Sequence, residues 1–278
     1  AFYAGARRYF QDHAFGATRL GDLLAALEAA SGRSLEQWKG AWLETTGPSV
    51  LSASWSTGPF GEVTDFTLHQ SGGASGGVLR PHRLVVSTWK FGGGRLEATH
   101  SFDVRIEGES APIDPEGALA HPGGAAEVDM VVVNDQDLTY AVSRLDPHST
   151  DVALAYAGTC PEAITRAVVW AALWNALRDG LVDPRRFVQS ALVAVESEAE
   201  PAVRDRLLAL AHSAIRDYLP GGARQGLREL LSAATIRYAR ETGDADAARA
   251  FTRAFITEFE AYGPGAFTEL VRGYAAGD

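Results

Sequence analysis

Residues 96–107 read LEATHSFDVRIE, and this stretch is the strongest indication of local fold in the chain. Apolar or aromatic side chains and one histidine occupy every second position from Leu96 to Ile106, with polar or charged side chains between them. Because successive side chains of a strand point to opposite faces of its sheet, this alternation predicts one buried and one solvated face. Antiparallel sheets commonly have such a pattern.

The sequence around this stretch contains further short runs with strand character. Glycines at 72–77 and 92–94 separate some of them. Short strands joined by glycine-rich turns are typical of an antiparallel β-sandwich, so we expect a sandwich domain at residues 49–147. The additional predicted strands are 63–70, 83–89, 128–133 and 138–142.

The residues before the sandwich follow a helical period. Leucines at 20, 23, 24 and 27 repeat at i, i+3, i+4 and i+7, and Thr18 is the predicted N-cap of this helix. Gly32 lies where a left-handed residue ends a helix, and a capping box is predicted at 34–37. Residues 1–48 are therefore predicted to form a short helical segment.

The residues after the sandwich return to the helical period. A predicted capping box of Thr159 and Glu162 starts a helix with Trp170 and Trp174 on one face, and Asp183 is the predicted N-cap of the next helix. Helices of 12–20 residues with short joints predict a solenoid-like, HEAT-like domain at 148–278. A further helix is predicted to begin at Glu200, and three more are predicted at 224–242, 244–262 and 264–275.

Composition excludes several classes of protein. The chain has 278 residues, 46% of them hydrophobic and 22% charged, which is ordinary for a soluble globular protein. No apolar run approaches the roughly 18 residues of a membrane helix, and no leader pattern starts the chain, so we expect no membrane partner and a cytoplasmic location. The net charge of −10 argues against nucleic acid as a partner. A single cysteine, Cys160, excludes an intrachain disulfide and a multi-cysteine zinc site.

Two glycine-rich motifs do not predict a catalytic or nucleotide site. Residues 73–77 match G-x-S-x-G, but strand patterns lie on both sides, whereas a nucleophile elbow needs a helix after it. A hairpin loop is the better interpretation. The three glycines at 92–94 lack the spacing of a dinucleotide site.

No residue pattern predicts catalysis or metal binding. No two of the histidines are spaced at i+3 or i+4 for a helical metal site. His100 is expected to be a hydrogen-bonded core histidine rather than a ligand. A helix start could lower the pKa of the Cys160 thiol, although a small helix-start residue is the simpler interpretation. The Trp170–Trp174 pair is expected in the core, with a ligand groove as the alternative. The histidines are His13, His69, His82, His100, His121, His148 and His212.

Several segments of the sequence resemble segments of one known family. They are FYAG at 2–5, YFQDH at 9–13, ATRLGDLL at 17–24, AASGRSL at 29–35, Trp38 and WLETTG at 42–47, then RPHRL at 80–84, NDQDLTYA at 134–141 and RAVVWAALWNALRD at 166–179. The segments up to residue 47 resemble, in order and spacing, the end of the catalytic domain of the aminopeptidase N family of zinc metallopeptidases. The later segments resemble the sandwich and helical domains of actinobacterial members. The resemblance implies that residues 1–48 are the helical tail of that catalytic domain.

The resemblance implies a non-catalytic C-terminal region of a zinc aminopeptidase. The family's H-E-x-x-H motif, its further glutamate, its G-x-M-E-N motif and its catalytic tyrosine do not occur here. No catalytic, metal-binding or substrate-binding residue is therefore assigned, and this part is expected to be inactive and to bind no zinc. The expected partners are the N-terminal and catalytic domains of the same chain and, in the intact enzyme, zinc and peptides. The helical domain is expected to be truncated.

Two functions remain open at this point. The helical region could gate peptide access to the active site of the intact enzyme, with an arginine such as Arg178, Arg185 or Arg186 pairing with a peptide carboxylate. For any one arginine, a solvated surface charge is the simpler interpretation. The alternative function is an independent binding module, in which a sandwich and a solenoid present a concave surface to a protein partner.

Overall fold

The computed structural model describes residues 1–72, 77–114 and 116–259 of the chain. These residues form two compact units. The first contains Ala1–Ser49 and the described part of Ser71–Arg80. The second contains Val50–Gln70 and the described residues from Pro81 onward.

The first unit contains helices α1 (Phe2–Asp12), α2 (Leu20–Ser31) and α3 (Glu36–Leu43). Gly32 ends α2 in the predicted left-handed conformation, with φ +66°. The two other cap predictions are wrong. Arg19 rather than Thr18 is the N-cap of α2, because its N–H bonds to the Asp22 carboxylate, and α3 starts after Leu35 without a side-chain cap.

The second unit is built around two sheets. One has the strand order β5-β2-β1-β7 and the other β4-β3-β6, and the described pairings of β3 with β4 and β6 and of β2 with β5 are antiparallel. The strands are β1 (Ser49–Thr57), β2 (Val63–Ser71), β3 (His82–Gly92), β4 (Arg95–Ile106), β5 (Ser110–Pro112), β6 (Met130–Val133) and β7 (Ala141–Arg144).

Strands β1 and β5 were not predicted, and the strand expected at 138–142 starts later. Asn134 and Asp137 have positive φ angles of 62° and 51°, and the Asn134 side-chain oxygen accepts bonds from the N–H groups of Leu138 and Thr139. This local hydrogen bonding holds the segment in a turn, as asparagine and aspartate favour. The strand therefore begins only at Ala141.

Strand β4 changes face in its middle, contrary to the single buried face that its alternation predicts. His100 pairs with Thr88, whereas Ala98 pairs with Trp89, so Thr99 is an extra residue in the ladder. A bulge of this kind shifts the side-chain alternation by one residue. As a result, Leu96 packs with the helices, while Val104 packs between the sheets.

The β4-β3-β6 sheet is covered on both faces. On one face, Leu84 and Val86 pack in a core shared with residues of the other sheet. On the other face, Trp89, Met130 and Val132 are buried in a core shared with the helices that follow. The β4-β3-β6 sheet thus packs against the other sheet on one face and against the helices on the other.

Six helices follow the sheets within the described residues. Helices α6 and α7 and helices α8 and α9 form closely packed pairs, and α7 also contacts α5 and α9. None of the described helices combines the length and the apolar character needed to cross a membrane. The helices are α4 (Pro147–Tyr156), α5 (Ala163–Arg178), α6 (Pro184–Glu196), α7 (Pro201–Tyr218), α8 (Gly221–Glu241) and α9 (Ala245–Phe259).

The helix ends test the cap predictions of this region. Asp183 caps α6 as predicted, because its carboxylate accepts the Arg185 N–H at 2.8 Å. The predicted capping box of Thr159 and Glu162 is absent, since the Thr159 hydroxyl instead bonds to the Tyr156 carbonyl and accepts the Leu96 N–H. The predicted helix at 264–275 lies outside the described residues.

Candidate functional site

Helices α5, α7 and α9 form one row, and two grooves lie along it. The first groove, of about 350 Å³, lies between α5 and α7. The second, of about 420 Å³, is lined mainly by α7 and α9. Clefts between packed helices are a common place for ligand sites, so this row is the candidate functional surface.

The groove between α5 and α7, here called the tryptophan groove, has an apolar lining. Trp170 and Trp174 are one helical turn apart on α5 and therefore lie on the same face of that helix. Val203, Leu207 and Leu210 line the groove from α7. All of these except Trp174, which is half-buried, are buried. Trp170 lies in the core and Trp174 packs against it, and both also line the groove. The core position and the ligand groove, which the sequence left as alternatives, are therefore both present.

The polar part of the tryptophan groove consists of Asn175, Arg178 and Arg206. Arg178 continues the i, i+4 series of the tryptophans by one more turn, and Arg206 lies on the facing helix α7. Both arginines are exposed, and Asn175 is half-buried. Among the residues that the structure describes, no acidic side chain lines the groove.

The groove between α7 and α9 differs in its charge. Asp205 and Arg253 line it together with His212 and Arg216. Arg216 forms an ion pair with Asp217 at 2.8 Å, and this hydrogen bond lowers the pKa of the Asp217 carboxyl. Both signs of charge are therefore present in this groove.

A buried ion pair ties the start of α5 to the α6–α7 joint. Arg166 donates to both carboxylate oxygens of Glu198, at 2.7 and 2.6 Å, and to the carbonyls of Cys160 and Pro161. The Arg166 and Glu198 side chains are 10% and 1% exposed. The hydrogen bond from Arg166 to Glu198 is the main cause that raises the pKa of the arginine. This pair fixes α5 relative to α7 and so holds the two walls of the tryptophan groove.

A second buried network joins the sheet to α5. The Asp135 carboxylate accepts hydrogen bonds from the hydroxyls of Ser87 and Thr165, the latter at 2.5 Å. Ser87 in turn accepts the indole N–H of Trp89 at 2.7 Å. A satisfied buried network of this kind favours one arrangement of its members. It therefore anchors α5, which carries the tryptophans, on the sheet.

Cys160 is a buried residue rather than an activated thiol. Burial raises the pKa of its thiol to about 12, and the negative charge of Asp135 acts in the same direction. The simpler interpretation of Cys160 as a small packed residue before a helix fits this environment. Because the thiolate is the reactive form, this raised pKa disfavours reaction of the thiol at neutral pH.

The glycine motifs do not form a site in the described structure. Most of the G-x-S-x-G match, residues 73–76, lies outside the described residues. Residues 92–94 form the turn between β3 and β4, with Gly93 and Gly94 at φ +59° and +87°. Glycine adopts such angles without strain, so a tight hairpin explains these two residues.

The histidines are dispersed over the fold. His82 is a buried structural residue, since its ring nitrogens bond to Thr139 and Gln70 at 2.7 and 3.1 Å. The expectation for His100 is wrong: its ring is half-buried and lies against Phe102, and its Nδ1 has no partner among the described residues. No group of three or more metal-ligating side chains occurs within the described ranges.

The three arginines suggested by the sequence have different surroundings. Arg178 lines the tryptophan groove. Arg186 forms an exposed ion pair with Asp151 at 2.8 Å, and Arg185 is exposed and lines neither groove. Sequence reasoning missed Arg206, because helical periodicity places it on a polar face without indicating which helix that face meets.

Two comparisons with known proteins give relatives of this chain. The family model described as ERAP1-like C-terminal domain matches residues 130–270. Aminopeptidase N of Streptomyces lividans is 35% identical over 264 residues. That match covers 92% of this chain and 30% of the relative, so the chain spans less than a third of that protein's length.

Proposed function

Because this chain belongs to the ERAP1-like C-terminal domain family, we propose that it is the non-catalytic C-terminal region of an aminopeptidase, where it shapes and gates the access of peptides. The similarity to aminopeptidase N, first indicated by the sequence segments, supports this assignment. In this proposal the division at residues 48 and 147 separates a helical tail, a β-sandwich spacer and a solenoid-like helical domain. The same proposal places the protein in the cytoplasm.

Zinc does not fit the donor set that the described residues offer. The described histidine, cysteine and carboxylate side chains form no cluster that could hold a metal ion. The zinc of the intact enzyme, which the similarity to aminopeptidase N implies, is proposed to lie in the part of the protein outside this chain. No chemical step is assigned to residues of this chain, whose role is to bind and position peptides.

The observation that carries the gating role is the pair of grooves along α5, α7 and α9. Both are open and large enough for side chains of a peptide. The buried pair of Arg166 and Glu198 and the Asp135 network hold this row against the sheet. A wall that is held rigidly restricts which peptides enter, because it does not yield to oversized substrates.

The gating role is tested by narrowing one groove in the full-length enzyme. Ala171→Phe adds a ring at the exposed edge of the tryptophan groove, and Gln189→Phe, on an exposed position of α6 outside both grooves, is the matched control. We expect Ala171→Phe to lower kcat/KM for a ten-residue peptide while an aminoacyl-naphthylamide keeps its value. Gln189→Phe leaves the ratio of the two unchanged.

An unchanged ratio in both variants contradicts the gating role. The independent binding module remains the second candidate function, because the tryptophan groove has the character of a ligand site. The two are distinguished by the upstream gene sequence. A module that functions without a catalytic domain has no H-E-x-x-H motif encoded before it.

A further inference from the structure

We propose that the outer edge of strand β4 binds an extended polypeptide segment that carries a basic side chain. The segment adds a strand to the β4-β3-β6 sheet, a mode of recognition known as β-augmentation. This inference concerns the sheets and is independent of the gating role proposed for the helices. It rests on free backbone groups at the edge, on a cavity beside them and on the charge of that cavity.

Strand β4 is an edge strand. In the order β4-β3-β6, strand β3 is its hydrogen-bonded neighbour on one side, and no described strand pairs with its other side. In an antiparallel pair, residues whose backbone groups bond to the partner strand alternate with residues whose backbone groups point away from it. About every second residue of β4 therefore directs its N–H and C=O groups outward, away from β3.

The pairing with β3 identifies the outward residues in the second half of β4. The Val85 carbonyl accepts the N–H of Asp135, which follows β6, so the Val85 backbone faces β6. Asp103 lies opposite Val85 in the β3–β4 ladder, and its backbone groups therefore point outward. By the same alternation, those of Ser101 and Arg105 do so as well. All three residues are exposed, and their outward groups have no hydrogen-bond partner among the described residues.

Other edge positions of this sheet have partners. On the opposite edge, the Val131 N–H of β6 donates to the Ser149 hydroxyl of α4 at 2.8 Å. In the first half of β4, the Leu96 N–H donates to the Thr159 hydroxyl at 3.0 Å, and the bulge at Thr99 interrupts the ladder. Native proteins usually cover or bend edge strands in this way, because free backbone groups recruit other strands. The second half of β4 is thus the part of this edge that can accept an added strand.

A cavity of about 330 Å³ lies beside this part of the edge. Residues 100–103 line it from β4, and Ile113, Asp114 and Glu116 are among those that line it from the segment after β5. The Nδ1 atom of His100, which belongs to this lining, is buried and lacks a hydrogen-bond partner in the described part of the chain. A cavity of this size accommodates a long side chain of the added strand.

The charge of the cavity favours a basic side chain. Asp103, Asp114 and Glu116 line it, and no lysine or arginine of the described ranges does. Arg83 compensates the charge of Asp103 by an ion pair. Asp114 and Glu116 form no ion pair with a described residue. A guanidinium or ammonium group brought in by the added strand pairs with these two carboxylates.

A second copy of this chain is a poorer partner for the same edge. If two copies of β4 pair antiparallel about the centre of the free segment, Asp103 lies opposite its own counterpart, and like charges directly opposite each other are destabilising. Asp114 and Glu116 of both copies lie at the same interface, in a chain of net charge −10. The charge therefore selects a basic segment over a second β4.

A protective role of the edge charges gives a different expectation. Charged side chains on edge strands often serve to keep other strands away, and Asp103 and Arg105 are charges of this kind. If that were their only role, no peptide would bind in a way that depends on its backbone N–H groups and on its charge. Peptide affinity therefore separates the two explanations.

The experiment measures peptide binding to the 278-residue chain by isothermal titration and by amide hydrogen exchange followed by NMR. The probe is the peptide Ac-Thr-Val-Arg-Val-Thr-NH2. One control peptide has glutamate in place of arginine, and a second has N-methyl groups on its arginine and valines, which removes the central N–H donors. We expect the probe to bind about threefold or more tightly than the glutamate peptide and about fivefold or more tightly than the N-methylated one. It should also slow the exchange of the Ser101 and Asp103 amides.

Two variants locate the binding on the edge and in the cavity. Ser101→Pro removes one outward N–H, which an edge strand tolerates because the ladder on its other side is kept. Glu116→Gln removes one charge of the cavity. Each should weaken the probe about threefold. Glu109→Gln, at an exposed glutamate outside the cavity, is the matched control for the charge and should leave the affinity unchanged.

Several results would overturn the proposal. They are equal binding of the probe and the glutamate peptide, equal binding of the probe and the N-methylated peptide, and binding that leaves the exchange of Ser101 and Asp103 unchanged. Absence of binding at probe concentrations of about 10 mM also overturns it. If Ser101→Pro fails to fold, the N-methylated peptide tests the same hydrogen bonds on the unaltered chain. A dimer in sedimentation that Ser101→Pro dissociates would assign the edge to a second copy and so refute a basic segment as the partner.

Discussion

The buried pair of Arg166 and Glu198 should be one of the most sensitive points of the helical region. We consider Arg166→Met, which removes the guanidinium but keeps an unbranched side chain of similar reach. The variant loses two hydrogen bonds to Glu198 and two to the carbonyls of Cys160 and Pro161. The Glu198 side chain, 1% exposed, then retains among the described residues only the hydrogen bond from the N–H of Glu200 at 2.9 Å.

The expected loss follows from leaving a buried carboxylate without its cation. Removal of one partner of a buried ion pair typically costs about 3–5 kcal/mol of unfolding free energy. The double variant Arg166→Met/Glu198→Leu removes both charges, so it should lose less than the sum of the two single variants. It should not recover fully, because the Cys160 carbonyl, whose hydrogen bond to Arg166 is buried, is left without this donor, and an unsatisfied buried carbonyl costs about 1–3 kcal/mol.

The measurement is guanidinium unfolding of the four proteins of this double-mutant cycle. The control is Arg186→Met, which breaks the ion pair of Arg186 with Asp151. The side chains of this pair are 56% and 65% exposed. This control should cost less than about 1 kcal/mol. A loss below about 1 kcal/mol for Arg166→Met, or strict additivity of the two single variants, would refute the reasoning about burial.

Three further predictions concern packing and pH. Burial raises the pKa of the Cys160 thiol from 9.0 to about 12, so the neutral thiol contributes its full stabilisation below pH 9, and the unfolding free energy falls by up to about 1.4 kcal/mol per pH unit between these two values. Equilibrium unfolding at pH 8 and pH 10 should therefore show a smaller fall of the unfolding free energy for Cys160→Ala than for the unchanged protein. Equal falls would contradict this. Deleting Thr99 should keep Leu96 on the side of the helices, because Ala98 and His100 would then pair with the consecutive residues Trp89 and Thr88 in a regular ladder. We expect a loss of unfolding free energy of only about 1–3 kcal/mol, from the hydrogen bond of the Thr99 hydroxyl to the Thr88 carbonyl. Denaturant unfolding against Thr99→Ser measures this, and a much larger loss would argue that Thr99 is not an extra residue of the ladder. Gly158→Ala should destabilise the chain, since the new Cβ would lie 2.9 Å from the Cβ of Ala194. Thermal unfolding tests this against the control Gly222→Ala, whose new Cβ would have no atom within 4 Å. Equal melting temperatures of the two variants would be the contrary result.

Local patterns predicted the elements that depend on local physics. The alternation around Val104, the leucine repeat from Leu20 and the Asp183 cap each correspond to a strand, a helix or a helix start in the structure. Periodicity predicts such elements because burial of one face follows directly from residue spacing. The family was also identified from the sequence segments, and the comparisons confirm it.

Some local predictions failed because contacts from elsewhere in the chain compete with them. The Thr159 hydroxyl accepts the N–H of Leu96 in β4 instead of capping α5. The pairing of β4 with β3 contains a bulge at Thr99. Neither partner can be known from the residues next to it. Strand β1 was not predicted, although its buried residues Ser49, Leu51 and Ala53 alternate with more exposed ones.

The sequence by itself determined the family and most of the strands and helices in their order, because these depend on residue spacing and on motifs. Only the tertiary structure decided that Arg206 of α7 faces Trp170 and Arg178 of α5 across a groove. It also decided that Arg166 finds its anion 32 residues later, at Glu198. The physical reason is that the direction of a helix face is set by the helices packed against it, and residue spacing within one helix carries no information on that partner.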